Sequence, residues 1–161
     1  MSLTIIERWL DHGARSNIPT RVVVHSMGHY ILHEGVYKAA ASFLDDVGLS
    51  AHALIAYGGE VIMCRREDEG AYHAKGHNTS TLGVEFLVPG KHDYGSFIEA
   101  IAEPGWVSGF AFAAGVELVR GWCQRHDIEA IVRHSDIDPV RKKDPGAGFP
   151  WESFVNAVRE Q

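Results

Sequence analysis

Hydrophobic positions along the chain fall into short runs rich in β-branched residues and longer stretches with helical spacing. Five runs have the length and composition of strands. They cover residues 21–25, 52–57, 60–65, 82–88 and 129–133. Gly58-Gly59 lies between the second and third runs, which predicts a hairpin with a two-residue turn.

Four stretches space their apolar residues as helices do, with polar or Gly/Pro residues at their ends. They cover residues 5–10, 36–47, 107–126 and 150–158, the first being short enough to be a turn. Strands and helices therefore alternate along the chain, and the hairpin excludes a purely parallel sheet. The pattern predicts an α/β fold, a single domain over residues 1–161 with a central mixed β-sheet flanked by α-helices.

The composition makes some classes of protein less probable but does not identify the function. The 161 residues are 45% hydrophobic and 22% charged, as in an ordinary folded domain. Because 21 Asp and Glu outnumber 15 Lys and Arg, a nucleic-acid-binding protein is disfavoured. The first residues carry no basic segment followed by an apolar one, and no apolar run reaches membrane-spanning length. We expect cytoplasmic synthesis and no stable membrane association.

Several common catalytic motifs are excluded at single positions. Gly90-Lys91 resembles the end of a phosphate-binding loop, but Glu85 stands where that loop needs its first glycine. His33-Glu34 begins like the helix of a zinc protease, but Tyr37 replaces the second histidine. These mismatches disfavour nucleotide binding and that class of protease.

The segment 134–146 is the most informative part of the chain. It follows a predicted strand and brings His134 together with several carboxylates in a loop that contains proline. Imidazole and carboxylate groups are common zinc ligands, and His25, at the end of another strand, can supply a third. Three protein ligands leave a coordination position open, which is the arrangement of catalytic rather than structural zinc sites.

Four blocks of the sequence resemble the zinc-dependent N-acetylmuramoyl-L-alanine amidases of the amidase-2 group, which are related to peptidoglycan recognition proteins. They occur in the family's order, at residues 22–26, 49–55, 71–85 and 134–146. The resemblance implies that His25, His134 and Asp144 are the zinc ligands. Many relatives have tyrosine where this chain has Ala51, and members with alanine there tend to carry glutamate at the position of Glu85.

The resemblance also implies roles for residues around the metal. Glu85 matches the carboxylate proposed as general acid and base, and Lys142 matches a basic residue that stabilises the transition state. His73 and Asn78 fall where the family lines its substrate groove. His52 matches a recurrent family position, and we expect it to be structural, holding the tautomer of a metal ligand.

The activity implied is hydrolysis of the amide between N-acetylmuramic acid and L-alanine in peptidoglycan or a muropeptide. A non-catalytic, peptidoglycan-binding module is the less favoured alternative, because such relatives typically lack a zinc ligand, whereas all three candidates are present here. Two roles stay open: a lytic, endolysin-like amidase released to the cell wall during lysis, which the compact chain favours, and a cytosolic amidase recycling anhydro-muropeptides. We expect a monomer.

Overall fold

The computed structural model describes residues 2–160, which form seven strands and five helices. The strands are β1 Ile5–Glu7, β2 Arg21–His33, β3 Val36–Ala39, β4 Ala53–Ile55, β5 Val61–Met63, β6 Thr81–His92 and β7 Ala130–Arg133. The helices are α1 Ala40–Val47, α2 Tyr94–Ala102, α3 Gly109–Arg125, α4 His134–Ile137 and α5 Trp151–Arg159. Within these residues, none of the helices combines the length and the apolar character needed to cross a membrane.

The seven strands form one mixed sheet, as the sequence predicts. Its order is β1-β5-β4-β6-β2-β3, and β7 pairs with β2. Strand β2 lies parallel to β6 along most of its length. The first part of β2 is also parallel to β7, and its last part is antiparallel to β3. Strand β2 is therefore the element around which the neighbouring strand ends are arranged.

The two faces of the sheet are covered by different elements. Val22, Val24 and Phe86 belong to the larger core, which includes residues of helices α3 and α5. Met27 and Leu87 belong to a second, smaller core that includes residues of α1. Side chains alternate between the two faces along a strand, so His25 lies on the same face as Met27. The sheet therefore separates the α3–α5 core from the face that carries His25.

Three local predictions differ from the structure, and two helices, α2 and α4, are not predicted. Residues 5–7 form a strand that pairs with β5, because a three-residue segment is too short for periodicity to separate helix from strand. The predicted helix 36–47 begins as strand β3 and becomes helical only at Ala40. The hairpin connection spans residues 56–60 rather than two residues. Helix α2 was not predicted, although Asp93 caps it by accepting a hydrogen bond from the Ser96 amide (2.8 Å).

Candidate metal centre and active site

Strand register places three of the predicted site residues in one row. Glu85 on β6 is the direct partner of His25 on β2. The pairing of β2 with β7 ends at Val24 and Arg133, so the next residues, His25 and His134, follow matched positions on parallel strands. Directly paired residues point to the same face of a sheet. Buried, β-branched strands therefore bring Glu85, His25 and His134 together on one face.

Asp144 reaches this row through the loop that follows α4. The Ser135 amide donates to the carbonyl of Asp144 (3.0 Å), which folds the loop back onto the helix start. The hydroxyl of Ser26, next to His25 on β2, donates to the carbonyl of Pro145 (3.2 Å). Gly146 has a φ of 92° and packs so closely against Ile101 that a Cβ would lie 2.4 Å from its carbonyl oxygen. The loop conformation thus depends on glycine at position 146.

The three predicted ligands form a compact group of donor atoms. Asp144 Oδ2 lies 3.0 Å from His25 Nδ1 and 3.1 Å from His134 Nδ1. One donor atom from each residue lies within 4.8 Å of the others. Tetrahedral zinc with bonds of about 2.0–2.1 Å separates its ligand atoms by roughly 3.3 Å, close to these distances. Two imidazoles and a carboxylate therefore fit a zinc ion in both chemistry and spacing.

Glu85 lies beside this group without belonging to it. Its Oε1 is 3.7 Å from His25 Nδ1, and its side chain is 11% exposed. Its Oε2 is buried and has no hydrogen-bond partner among residues 2–160. Burial raises the pKa of Glu85 well above its usual value, and nearby Asp144 adds to the effect while Lys142 opposes it. An uncompensated carboxylate oxygen next to a metal-binding group is suited to hold or transfer a proton.

Burial also affects the pKa values of His25 and Asp144. Burial lowers the pKa of His25, although Asp144 opposes the change. For Asp144, burial favours the neutral form, but His134 and His25 outweigh it and hold the pKa below its usual value. The directions of these two pKa shifts favour an ionised Asp144 and a neutral His25, the forms in which carboxylate and imidazole groups bind a metal ion.

An open cavity of about 370 Å³ exposes this group to solvent. Its lining contains all seven residues singled out from the sequence: His25, His73, Asn78, Glu85, His134, Lys142 and Asp144. Arg141 and Lys143 line it as well, so three consecutive basic residues border the cavity. Of these three residues, only Lys142 is predicted from the sequence to be part of the site. The run of three consecutive positive charges is the sequence feature that points to Arg141 and Lys143 as further lining residues.

His73 and Asn78 line the cavity but also bond within the protein. The Nδ1 and Nε2 atoms of His73 lie 2.8 Å from His25 Nε2 and 3.0 Å from Thr81 Oγ1. Asn78 accepts hydrogen bonds from the amides of His73 (3.1 Å) and Ala74 (2.9 Å) and so holds the loop between them. Their contact with a substrate stays a prediction.

His52 does not hold a metal ligand, contrary to the prediction. Its Nε2 donates to the carbonyl of Glu69 (2.7 Å), and its Nδ1 accepts from the amide of Gly83 (3.0 Å). Burial lowers its pKa to about 4. His52 therefore joins a loop to strand β6, while His73 is the histidine that contacts a predicted ligand.

The comparisons with known proteins agree with this geometry. The sequence profile described as N-acetylmuramoyl-L-alanine amidase matches residues 15–147. That range covers most of the chain and includes the three candidate ligands. The chain belongs to the N-acetylmuramoyl-L-alanine amidase family. Members of this family are in general zinc-dependent, in keeping with the His–His–Asp group.

Individual relatives extend the match to nearly the whole chain. N-acetylmuramoyl-L-alanine amidase A of Achromobacter lyticus is 27% identical, with 92% of this chain and 88% of that protein covered. The amidase LysC of Clostridium intestinale superposes with a TM-score of 0.74 at 19% identity, covering 99% of this chain and 100% of that one. AmpD, solved as its selenomethionine derivative, gives 0.74 at 20% identity, covering 98% and 99%. At these identities the two structures establish the shared amidase fold.

Proposed function

We propose that the protein is a zinc-dependent hydrolase that cleaves the amide between N-acetylmuramic acid and L-alanine of peptidoglycan. The observation that carries this proposal is the row of Glu85, His25 and His134, completed by Asp144, at the base of an open cavity. His25, His134 and Asp144 would hold the zinc ion. A bound zinc ion lowers the pKa of water and polarises a carbonyl group, the two activations that amide hydrolysis needs.

Glu85 is the proposed general base and acid. Its unpaired Oε2 takes the proton from the attacking water and delivers it to the nitrogen of L-alanine as the amide breaks. The buried setting favours the protonated form of Glu85, whereas the charge of a bound cation favours the ionised form. These opposed influences suit a group that must both accept and release a proton.

Lys142 is proposed to offset the negative charge that develops on the scissile carbonyl oxygen. A fixed cation is effective there because its charge is already in place when the negative charge develops. The neighbouring Arg141 and Lys143 border the same cavity and favour a substrate that carries carboxylates, as stem peptides do. The basic run thus gives the cavity a preference for acidic peptides despite the acidic composition of the whole chain.

We further propose that the natural substrate is polymeric peptidoglycan, so that the enzyme is lytic. Tyr72 and Tyr94 line the cavity and are 42% and 70% exposed. Exposed aromatic rings offer apolar faces against which sugar rings can pack. The runner-up is the recycling of soluble anhydro-muropeptides, which the combination of Glu85 with Asp144 favours. In the lytic role, release to the cell wall follows cytoplasmic synthesis.

Product analysis with two substrates tests the proposal. The zinc-loaded protein is incubated with purified sacculi and, separately, with soluble anhydro-muropeptide, and the products are identified by mass spectrometry. We expect peptides beginning with a free L-alanine amine from sacculi. Release from the soluble substrate alone would assign the recycling role. Cleavage of neither by zinc-loaded protein would contradict the enzymatic proposal.

A further inference from the structure

We propose that His73 and Thr81 fix the tautomer of His25, so that its Nδ1 is held without a proton and faces the metal position. The proposal rests on the metal site proposed above and assigns positioning roles to two residues outside it. A hydrogen-bond chain runs from His25 through His73 and Thr81 to the carbonyl oxygen of His77.

The donor and acceptor roles along this hydrogen-bond chain are determined by the bond between Thr81 and His77. Thr81 Oγ1 lies 2.7 Å from the carbonyl oxygen of His77, which can only accept a hydrogen bond. The hydroxyl has one hydrogen, and it is used in this bond. Thr81 Oγ1 must therefore accept from His73 Nε2, which lies 3.0 Å away. His73 then carries its proton on Nε2.

The same reasoning continues to the metal ligand. A neutral imidazole has one N–H, so His73 Nδ1 has a lone pair and accepts a hydrogen bond. Its partner at 2.8 Å is His25 Nε2, which must donate. The single proton of neutral His25 is thereby placed on Nε2, and its Nδ1 is left as a bare lone pair. That atom is the one nearest to Asp144.

With His25 protonated at Nε2, a cation is required between His25 and Asp144. His25 Nδ1 and Asp144 Oδ2 are 3.0 Å apart, and in this tautomer both present lone pairs to each other. Such a contact is favourable only when a metal ion or a proton lies between the two atoms. The hydrogen-bond chain thus prepares the site for a metal ion, because it removes the competing Nδ1–H tautomer.

The fold holds His73 in place by means of a glycine on β6. A Cβ at Gly83 would lie 2.5 Å from His73 Nδ1, so only glycine lets the ring lie against the strand. Thr81, two residues earlier on the strand, is fully buried and cannot exchange its partners for water. His52, the neighbouring histidine, is occupied by Glu69 and Gly83 and cannot substitute for His73.

Zinc affinity and imidazole NMR test the chain without relying on hydrolysis. The Thr81→Val substitution removes the hydroxyl oxygen that accepts from His73 and keeps nearly the same side-chain shape. We expect zinc binding, measured by competition with a chromophoric chelator, to weaken about 10- to 100-fold. Thr81→Ser keeps the hydroxyl and should retain wild-type affinity. Thr20→Val is the matched control, because the Thr20 hydroxyl donates to a carbonyl of the same loop, that of Ser80.

Long-range ¹H–¹⁵N spectra of the wild-type protein provide the second readout. We expect His25 and His73 both to be protonated at Nε2, with and without zinc. An Nδ1–H tautomer of His73, or wild-type zinc affinity in folded Thr81→Val, would overturn the proposal. If Thr81→Val does not fold, the wild-type spectra still decide. Because neither measurement involves a substrate, failure of the amidase proposal would be seen separately, in the product analysis.

Discussion

Two carboxylates beside His25 have opposite electrostatic environments. Asp144 contacts two imidazoles, which hold its pKa below the usual value, whereas the Oε2 of Glu85 has no partner and burial raises the pKa of Glu85. A pair of acids separated in this way is typical of sites that divide metal binding from proton transfer. Asp144 is suited to ligation and Glu85 to catalysis.

The division of roles predicts the effect of Glu85→Gln. The amide keeps the size of the side chain but cannot accept and return a proton, so kcat should fall by at least about 100-fold. Zinc content and the thermal unfolding midpoint should stay close to wild type, because Glu85 is not among the three grouped ligands. Glu7→Gln, at an exposed position on β1, is the matched control. Turnover near wild type in Glu85→Gln would move proton transfer to another residue.

The lowered pKa of His52 predicts that folding stability depends on pH. The unfolded chain protonates this residue near 6.5, whereas the folded protein does so only near 4. Between these values the unfolded state binds more protons, so stability falls as the pH falls from 6.5 to 4, by up to about 3 kcal/mol. Urea unfolding of the metal-free protein at several pH values measures this slope. His52→Asn, which keeps an acceptor for Gly83, should flatten it, and an unchanged slope would exclude His52 as the cause.

The site residues differ in how far sequence alone could reveal them. His25 and His134 each follow a β-branched run, so their placement at strand ends is visible in the pattern. Asp144 is one of several carboxylates in its loop, and only the family resemblance selects it. The contact between His73 and His25 joins residues 48 positions apart, and no periodicity encodes it.

At the scale of elements, helix α3 depends on glycine for its close approach to the sheet. A Cβ at Gly115 would lie 2.4 Å from the buried ring of Phe86. A Cβ at Gly121 would meet only the flexible end of the Arg125 side chain, at 3.0 Å. The same substitution in one helix should therefore have opposite effects at these two positions.

Gly115→Ala is expected to destabilise the protein by about 1–3 kcal/mol through overpacking, even though alanine is the better helix former. Gly121→Ala should instead stabilise it by up to about 1 kcal/mol, since only helix propensity changes. Chemical denaturation of both variants gives the free energies of unfolding. Equal effects of the two substitutions would contradict the packing of α3 on Phe86.

The sequence predicts the strands and helices that contain long hydrophobic runs. It does not predict the segments whose conformation depends on pairing with another strand. The sequence predicts the runs that form β2 and β6 but not their extension to His33 and His92, because Gly28 and Pro89-Gly90 interrupt the two apolar runs. Strand β3 forms because residues 36–39 pair with the end of β2, a tertiary effect that overrides the local helical pattern. The mixed sheet itself followed from the hairpin.

At the level of the whole molecule, the group formed by His25, His134 and Asp144 connects β2 and the residue after β7 to the loop that carries Asp144. A ligand that binds only the folded state stabilises it, by about 2.7 kcal/mol when its free concentration is about 100 times Kd. Zinc should therefore raise the thermal unfolding midpoint of the metal-free wild type, and chelation should reverse the shift. His134→Ala should show no such increase. An equal increase in that variant would place the zinc elsewhere.

Titrating metal-free protein with zinc tests whether His25, His134 and Asp144 form the catalytic metal centre. Bound zinc and release of L-alanine-initiated peptides from sacculi are measured in the same samples. We expect activity to rise in proportion to bound zinc and to stop rising at one ion per chain, and we expect His25→Ala to lose both zinc binding and activity. Full activity of the metal-free protein, or stoichiometric zinc retained by His25→Ala, would contradict it.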